Sequence, residues 1–223
     1  MTQDIRFDHP APDFTDCLAI VDNALPQATL TALTEAVDRL IATERTYLPA
    51  HKKGGTVAYE TLERETPEIV RLYRSPFLQR FISRITGIKV EPTPLHDQSS
   101  CSVLFYEKPG DHIGWHYDHN FYKGRHFTVL IPLINRGHGE GGLSAARLMV
   151  KRKRQDVAIA TPPNRLIVFE GARVRHKVTP TAEGERRVVW SMTYCADPRN
   201  SAFQGVARRI KDTAFFGVRA LWT

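Results

Sequence analysis

The spacing of apolar positions changes partway along the chain. Between Pro26 and Ile41, the residues Leu30, Leu33, Val37, Leu40 and Ile41 recur at helical intervals, which predicts an amphipathic helix. Ser75-Pro76 has the form of an N-cap and first helical residue. Phe77, Leu78, Phe81, Ile82 and Ile85 follow at the same period, and Gly87 is a stop. From about Ser100 onward the apolar residues fall into short runs of strand length: 102–106, 127–134, 147–150, 157–160, 165–169 and 186–194. Turn residues separate them, among them Pro109-Gly110, the glycine cluster 137–142, Pro162-Pro163-Asn164 and Gly184. Many short strands punctuated in this way predict a sandwich or jelly roll.

Two segments escape that division. Residues 51–59 carry the pair Gly54-Gly55 between the predicted helices, which suggests a surface loop, or else the hinge of a lid. Beyond Ser201, Phe203, Val206, Ala207, Ile210, Ala214, Phe215, Val218 and Leu221 return to helical spacing with Arg208, Arg209, Lys211 and Arg219 interleaved. That helix is expected to dock on the barrel or on a second subunit, making a homodimer. The alternative is peripheral contact with an anionic membrane surface. The expected organisation is a single domain, 1–223: helical support over 1–95, a β core over 96–196 and a C-terminal helix over 197–223.

Composition narrows this picture little. A chain of 223 residues with 42% hydrophobic content can bury a full core without cross-links. Its 3 cysteines are widely spaced, which suits a reducing compartment, and no signal peptide or membrane-length apolar run is evident, so the cytoplasm is expected. The net charge of +7 owes much to the run 151–154 and to the tail. A solvated turn between strands explains that run, and no stacking aromatics accompany it in sequence, so no specific nucleic-acid binding is expected.

The candidate chemistry lies in Gly114-Trp115-His116-Tyr117-Asp118 and in His176. On an extended chain residues i and i+2 share a face, so His116 and Asp118 can grip one metal, with His176 as a third ligand. Two histidines and one carboxylate suit Fe(II) with open coordination positions. Pro109, Gly110 and Gly114 argue against a helix there, and so against a zinc-protease reading of His112 and His116.

These segments, taken in order, resemble the Fe(II)- and 2-oxoglutarate-dependent oxygenases, nearest the prolyl-4-hydroxylase-like branch. The resemblance spans about residues 100–194. It rests on Tyr106 through Asp118, on Thr128–Ile131 followed by Glu140-Gly141-Gly142, on Arg165–Phe169 followed by His176–Pro180, and on Arg186 ten residues after that histidine. It implies a mainly β, α+β architecture with a double-stranded β-helix core. It also implies His116, Asp118 and His176 as iron ligands, with 2-oxoglutarate and O2 as co-substrates, and it admits ascorbate as reductant. Arg186 is expected to clamp the distal carboxylate of 2-oxoglutarate. Arg187, on the opposite strand face, is the competitor. Tyr106 and Thr128 are expected near the co-substrate.

Relatives that halogenate replace the aspartate with a small residue, so Asp118 points to hydroxylation of an unactivated C–H bond, with release of succinate and CO2. Leu143-Ser144-Ala145-Ala146 lacks the Thr-x-Phe common in prolyl hydroxylases. The expected substrate is therefore a small molecule, such as a free amino acid or biosynthetic intermediate. A prolyl-type protein side-chain hydroxylase and a metal-binding barrel without oxygenase activity remain as alternatives. The tail resembles the ending of a branch near the amino-acid halogenases and hydroxylases.

Overall fold

A computed structural model describes residues 10–43, 52–94 and 97–199. The C-terminal helix expected beyond Ser201 lies outside the described residues. In chain order the elements are β1 (Leu18–Val21), α1 (Gln27–Thr43), β2 (Lys52–Lys53), β3 (Gly55–Val57), α2 (Tyr59–Glu65), α3 (Pro67–Tyr73), α4 (Pro76–Thr86) and β4 (Glu91–Pro92). Then come β5 (Cys101–Tyr106), β6 (His112–His116), β7 (Lys123–Arg136), β8 (Leu148–Arg152), β9 (Gln155–Ile159), β10 (Leu166–Glu170), β11 (His176–Val178) and β12 (Arg186–Asp197).

The strands form two antiparallel sheets, the layout expected of a jelly roll. The larger runs β1-β10-β7-β12-β5-β3, with β4 also paired to β12. The smaller runs β2-β6-β11-β8-β9. Both faces of the larger sheet are covered, and side-chain alternation divides its strands between two environments. On β12, Val188, Trp190, Met192 and Tyr194 join the helices in one apolar cluster. Leu33, Val37 and Ile41 of α1 and Phe81, Ile82 and Ile85 of α4 belong to the same cluster. Each such buried side chain contributes about 1.5–3 kcal/mol over its exposed state. The opposite β12 face carries Arg187, Val189 and Ser191, which line the interior between the sheets.

Local rules explain the helix ends. Ser75 Oγ accepts a hydrogen bond from Leu78 N at 3.2 Å, and Pro76 follows as the first helical residue. Gly87 closes α4 at φ 72°. The run at 151–154 is a tight β-hairpin, with Lys153 and Arg154 at φ 46° and 69° between β8 and β9. Asn164 takes φ 67° and braces β1's exit, its side chain bonding both the N–H and the carbonyl of Leu25.

Three expectations need correction. The N-terminal region is not helical throughout: β1, β2, β3 and β4 lie within it and extend both sheets. Residues 52–57 are neither a plain loop nor a lid hinge, because β2 pairs with β6 of one sheet and β3 with β5 of the other. Gly55 permits that crossing, since a Cβ there would lie 1.8 Å from Phe105 Cζ. Finally, β6 ends at His116, so Asp118 stands beyond the strand.

Candidate metal and co-substrate site

His116 from the end of β6, His176 from the start of β11 and Asp118 converge at one point. Their ligand atoms all lie within 4.8 Å of one another. Asp118 Oδ1 is 3.5 Å from His116 Nε2 and 3.7 Å from His176 Nε2. The two histidines face each other because β6 and β11 are paired with His116 opposite His176. Asp118 is positioned by its own backbone, whose N–H donates to Gly171 O at 3.0 Å. Gly171 must be glycine for this approach, as a Cβ there would come within 2.5 Å of Asp118 Oδ2.

The neighbours of these side chains prepare them to bind a cation. His116 Nδ1 lies 2.8 Å from Gly114 O and His176 Nδ1 lies 3.0 Å from Val174 O. A carbonyl only accepts, so each Nδ1 carries the proton and each Nε2 presents a lone pair. Burial lowers the pKa of His176 and keeps the ring neutral. Burial alone would raise that of Asp118. The adjacent His176, His116 and Thr128 outweigh it and hold the carboxyl well below the usual range. Two neutral imidazoles and a carboxylate are a donor set for a divalent first-row metal.

Beside this cluster lies a small interior cavity lined by Tyr106, Thr128, Thr161 and Arg187 together with the three clustered residues. Arg187 is 2% exposed and Tyr106 1%. Arg187 Nε and Nη1 and Tyr106 Oη have no hydrogen-bond partner among the described residues. A buried guanidinium left in that state is costly, and burial pulls its pKa down. Both facts are resolved by a carboxylate entering the cavity, so the residues fit a dicarboxylate such as 2-oxoglutarate.

Arg186, favoured by its spacing, is elsewhere. It faces the helices, donating from Nε to Glu107 Oε1 at 2.7 Å and pairing with Asp38 Oδ1 of α1 at 2.5 Å. A count from His176 crosses a turn and carries no information about strand face. The useful signal was the parity of β12 itself: Val188, Trp190, Met192 and Tyr194 are the large apolar set, so Arg187, Ser191 and Thr193 mark the polar side. Thr128 lines the small cavity, near the place expected for the co-substrate. Its hydroxyl donates to Asp118 Oδ2 at 2.5 Å, which commits its only proton to that carboxylate rather than to a co-substrate.

A second cavity of about 500 Å³ opens on the other side of His116 and Asp118. Thr56, Ser99, Ser102, Ser191 and Thr193 give it a hydroxyl-rich wall, beside Leu104, Ile113 and Trp115. Asp97 joins that wall, held by Tyr122 Oη at 2.9 Å and by Ser99 Oγ at 2.6 Å. No lysine or arginine lines this cavity among the described residues. Sequence reasoning missed Asp97, Thr161 and the wall hydroxyls, which come from segments with no local motif. It also missed an aromatic partner for the basic residues: Trp115 lies 5.2 Å from Lys151 Nζ, 4.8 Å from Lys177 Nζ and 5.8 Å from Arg175 Cζ.

Comparison with known proteins agrees with this geometry. The model of the 2OG-Fe(II) oxygenase superfamily matches residues 101–194, and that of Halogenase D matches residues 13–139. A search of curated proteins finds no match. Among solved structures, the chain is similar to a prolyl hydroxylase from Trichoplax adhaerens in complex with a hypoxia-inducible-factor oxygen degradation domain peptide. The TM-score is 0.63 at 21% identity, covering 82% of this chain and 84% of that one. A Pseudomonas putida prolyl-4-hydroxylase gives 0.60 at 17% identity, covering 83% and 95%. The α-ketoglutarate-dependent epimerase SnoN from nogalamycin biosynthesis gives 0.63 at 14% identity, covering 85% and 84%. Membership brings Fe(II), 2-oxoglutarate and O2 as the family's cofactors. No helix among the described residues is long and apolar enough to cross a membrane. The chain thus belongs to the Halogenase D family within the 2OG-Fe(II) oxygenase superfamily.

Proposed function

We propose that the protein hydroxylates an unactivated C–H bond of a small molecule, with a free amino acid or a biosynthetic intermediate as the substrate class. The observation that carries this reading is Asp118, a carboxylate that stands between the two histidines and accepts a hydrogen bond from Thr128, where a halogenating site needs a small residue. His116, Asp118 and His176 would hold Fe(II), and Arg187 with Tyr106 would hold the distal carboxylate of 2-oxoglutarate. With 2-oxoglutarate and O2, an iron held there would supply the oxidising chemistry, with succinate and CO2 as by-products.

The chain's own residues do the rest. Nδ1–H bonds to Gly114 and Val174 keep both imidazoles aimed, and Thr128 fixes the carboxylate rotamer. The hydroxyl-lined cavity orients the substrate by hydrogen bonds, while Leu104, Ile113 and Trp115 keep water away from it. Among the described residues Asp97 is the one carboxylate of that cavity besides Asp118, and no lysine or arginine lines it, so a neutral or ammonium-bearing substrate is favoured over an anionic one. Two of the three free cysteines are buried, in keeping with a cytoplasmic setting.

The test is an anaerobic titration of the Fe(II)-loaded protein with 2-oxoglutarate, followed by an aerobic screen of free amino acids against proline-containing peptides. A saturable visible charge-transfer band is expected, with succinate release and a product one oxygen heavier only from small molecules. Absence of the band overturns the co-substrate assignment. Turnover coupled only to peptides overturns the substrate class.

A further inference from the structure

We propose that the outer face of the smaller sheet around Trp115 is a docking surface for an acidic protein partner. It lies at the rim of the large cavity, which Trp115 and Tyr117 both line. Adjacent strands build the face: Trp115 comes from β6, Lys177 from β11 with Arg175 just before it, and Lys151 from β8. A β-bulge positions the ring. His116 pairs with His176 and Ile113 with Val178, so Gly114 and Trp115 together oppose the single residue Lys177. The extra residue lets Ile113 and His116 both line the interior, while Trp115 meets Lys177 on the outside.

Three cations gather on this one indole. Lys177 Nζ is 4.8 Å from the ring centroid, Lys151 Nζ 5.2 Å and Arg175 Cζ 5.8 Å. The negative face of the ring offsets their mutual repulsion without neutralising them. Cations elsewhere on the surface are paired: Arg152 meets Asp16 at 2.9 Å and Arg165 meets Asp22 at 2.6 Å. On this face Lys151 has Asp156 at 2.8 Å, but Arg175 and Lys177 have no carboxylate partner among the described residues. Lys153 and Arg154, exposed in the adjoining hairpin, extend the same charge. A half-buried tryptophan ringed by uncompensated cations combines the residue types enriched at the centre of protein interfaces.

Charge complementarity selects the occupant. A second copy of this chain, with its net charge of +7, would set cation against cation. A single-stranded nucleic acid would need the indole face for a base, and three cations already crowd that ring. The glutamates and aspartates of an acidic protein need only the charges. Its apolar side chains would cover Tyr117, which is 50% exposed at the same rim. The docking face does not depend on which small molecule the cavity takes, but a partner seated there is placed to pass that molecule in or take the product out.

The experiment is fluorescence anisotropy of a labelled polyglutamate peptide titrated with the full chain. Saturable binding that weakens with added salt is expected. Arg175→Gln combined with Lys177→Gln should weaken it by roughly fivefold to tenfold, the scale of two exposed charge pairs. The control is Arg80→Gln combined with Arg84→Gln on α4, which removes the same charge and two cation–ring contacts at another surface. Its affinity should stay within about twofold of the parent. Should the first pair melt early, Lys177→Gln alone carries the test, with a loss of roughly twofold to threefold. Equal weakening in test and control means that the peptide senses net charge alone, and overturns the inference. Parental affinity in the Arg175 and Lys177 variant overturns it too. Single-stranded DNA or phosphatidylserine vesicles that bind more tightly at the same salt, and lose that binding in the same variant, would replace the protein partner with a nucleic acid or a membrane.

Discussion

Replacing Arg187 with methionine keeps the length of the buried side chain and removes its charge. Two of its nitrogens, Nε and Nη1, have no hydrogen-bond partner among the described residues, and the side chain lines the small cavity. Each hydrogen bond from a charged donor is worth about 1.5–3 kcal/mol, so losing two costs roughly 3–6 kcal/mol of co-substrate binding. At about 1.4 kcal/mol per decade, 2-oxoglutarate affinity should fall by roughly two to four orders of magnitude. The control is Arg186→Met. Arg186 is partly exposed, and its bonds to Glu107 and Asp38 are surface ion pairs worth about 0–1 kcal/mol each. Losing them should lower the melting temperature by about 2–4 °C per kcal/mol and leave 2-oxoglutarate binding unchanged. The assay is the anaerobic charge-transfer titration of both variants beside the parent. Equal loss from Arg186→Met, or parental affinity in Arg187→Met, refutes the reasoning.

Two more outcomes follow from local geometry. Gly171→Ala would bring a methyl within 2.5 Å of Asp118 Oδ2 and 2.9 Å of Thr128 Oγ1, so Mn(II) affinity should drop while the far-ultraviolet circular dichroism stays parental; unchanged metal affinity contradicts the packing described. Glu185 is 2% exposed and accepts bonds from Ala145 N, Ser144 Oγ and Ala182 N. Burial works to raise its pKa, yet these bonds outweigh burial and lower it. Its ionised form therefore stabilises the fold above the ordinary glutamate value of about 4.3, and that contribution fades as pH falls through the lower folded value. Glu185→Gln should be less stable than the parent at pH 7 by about 1–3 kcal/mol, with the gap narrowing below about pH 4; urea midpoints that differ equally at both pH values would contradict this.

Sequence patterns were most informative where one element makes its own rules. The α4 cap at Ser75-Pro76, its stop at Gly87 and the 153–154 turn depend on local dihedral preferences, and all appear as expected. The clustering of His116, Asp118 and His176 was legible from donor chemistry, although the reason differed: Asp118 owes its place to Gly171 rather than to strand alternation. The short strands β2, β3 and β4 were not legible, because two or three residues carry no measurable period and their pairing partners are distant in sequence. The same limit concealed Thr161, which accepts a hydrogen bond from Arg187 only once β7, β10 and β12 are side by side. Arg187 itself was within reach, had the apolar parity of β12 been weighed above a residue count.

The seat of Asp118 depends little on its carboxylate. Its main chain is pinned by Gly171 O, the two imidazoles are aimed by bonds to Gly114 and Val174, and Thr128 directs a hydroxyl at Oδ2. Were the residue alanine, the main-chain bond and the two imidazole bonds would not depend on the lost carboxylate, and the Thr128 proton would be released toward the space it had filled. An O–H donor beside an uncovered face of a cation is a perch for a halide ion. On this chain the difference between a three-ligand and a two-ligand site would rest on one side chain rather than on a rebuilt pocket.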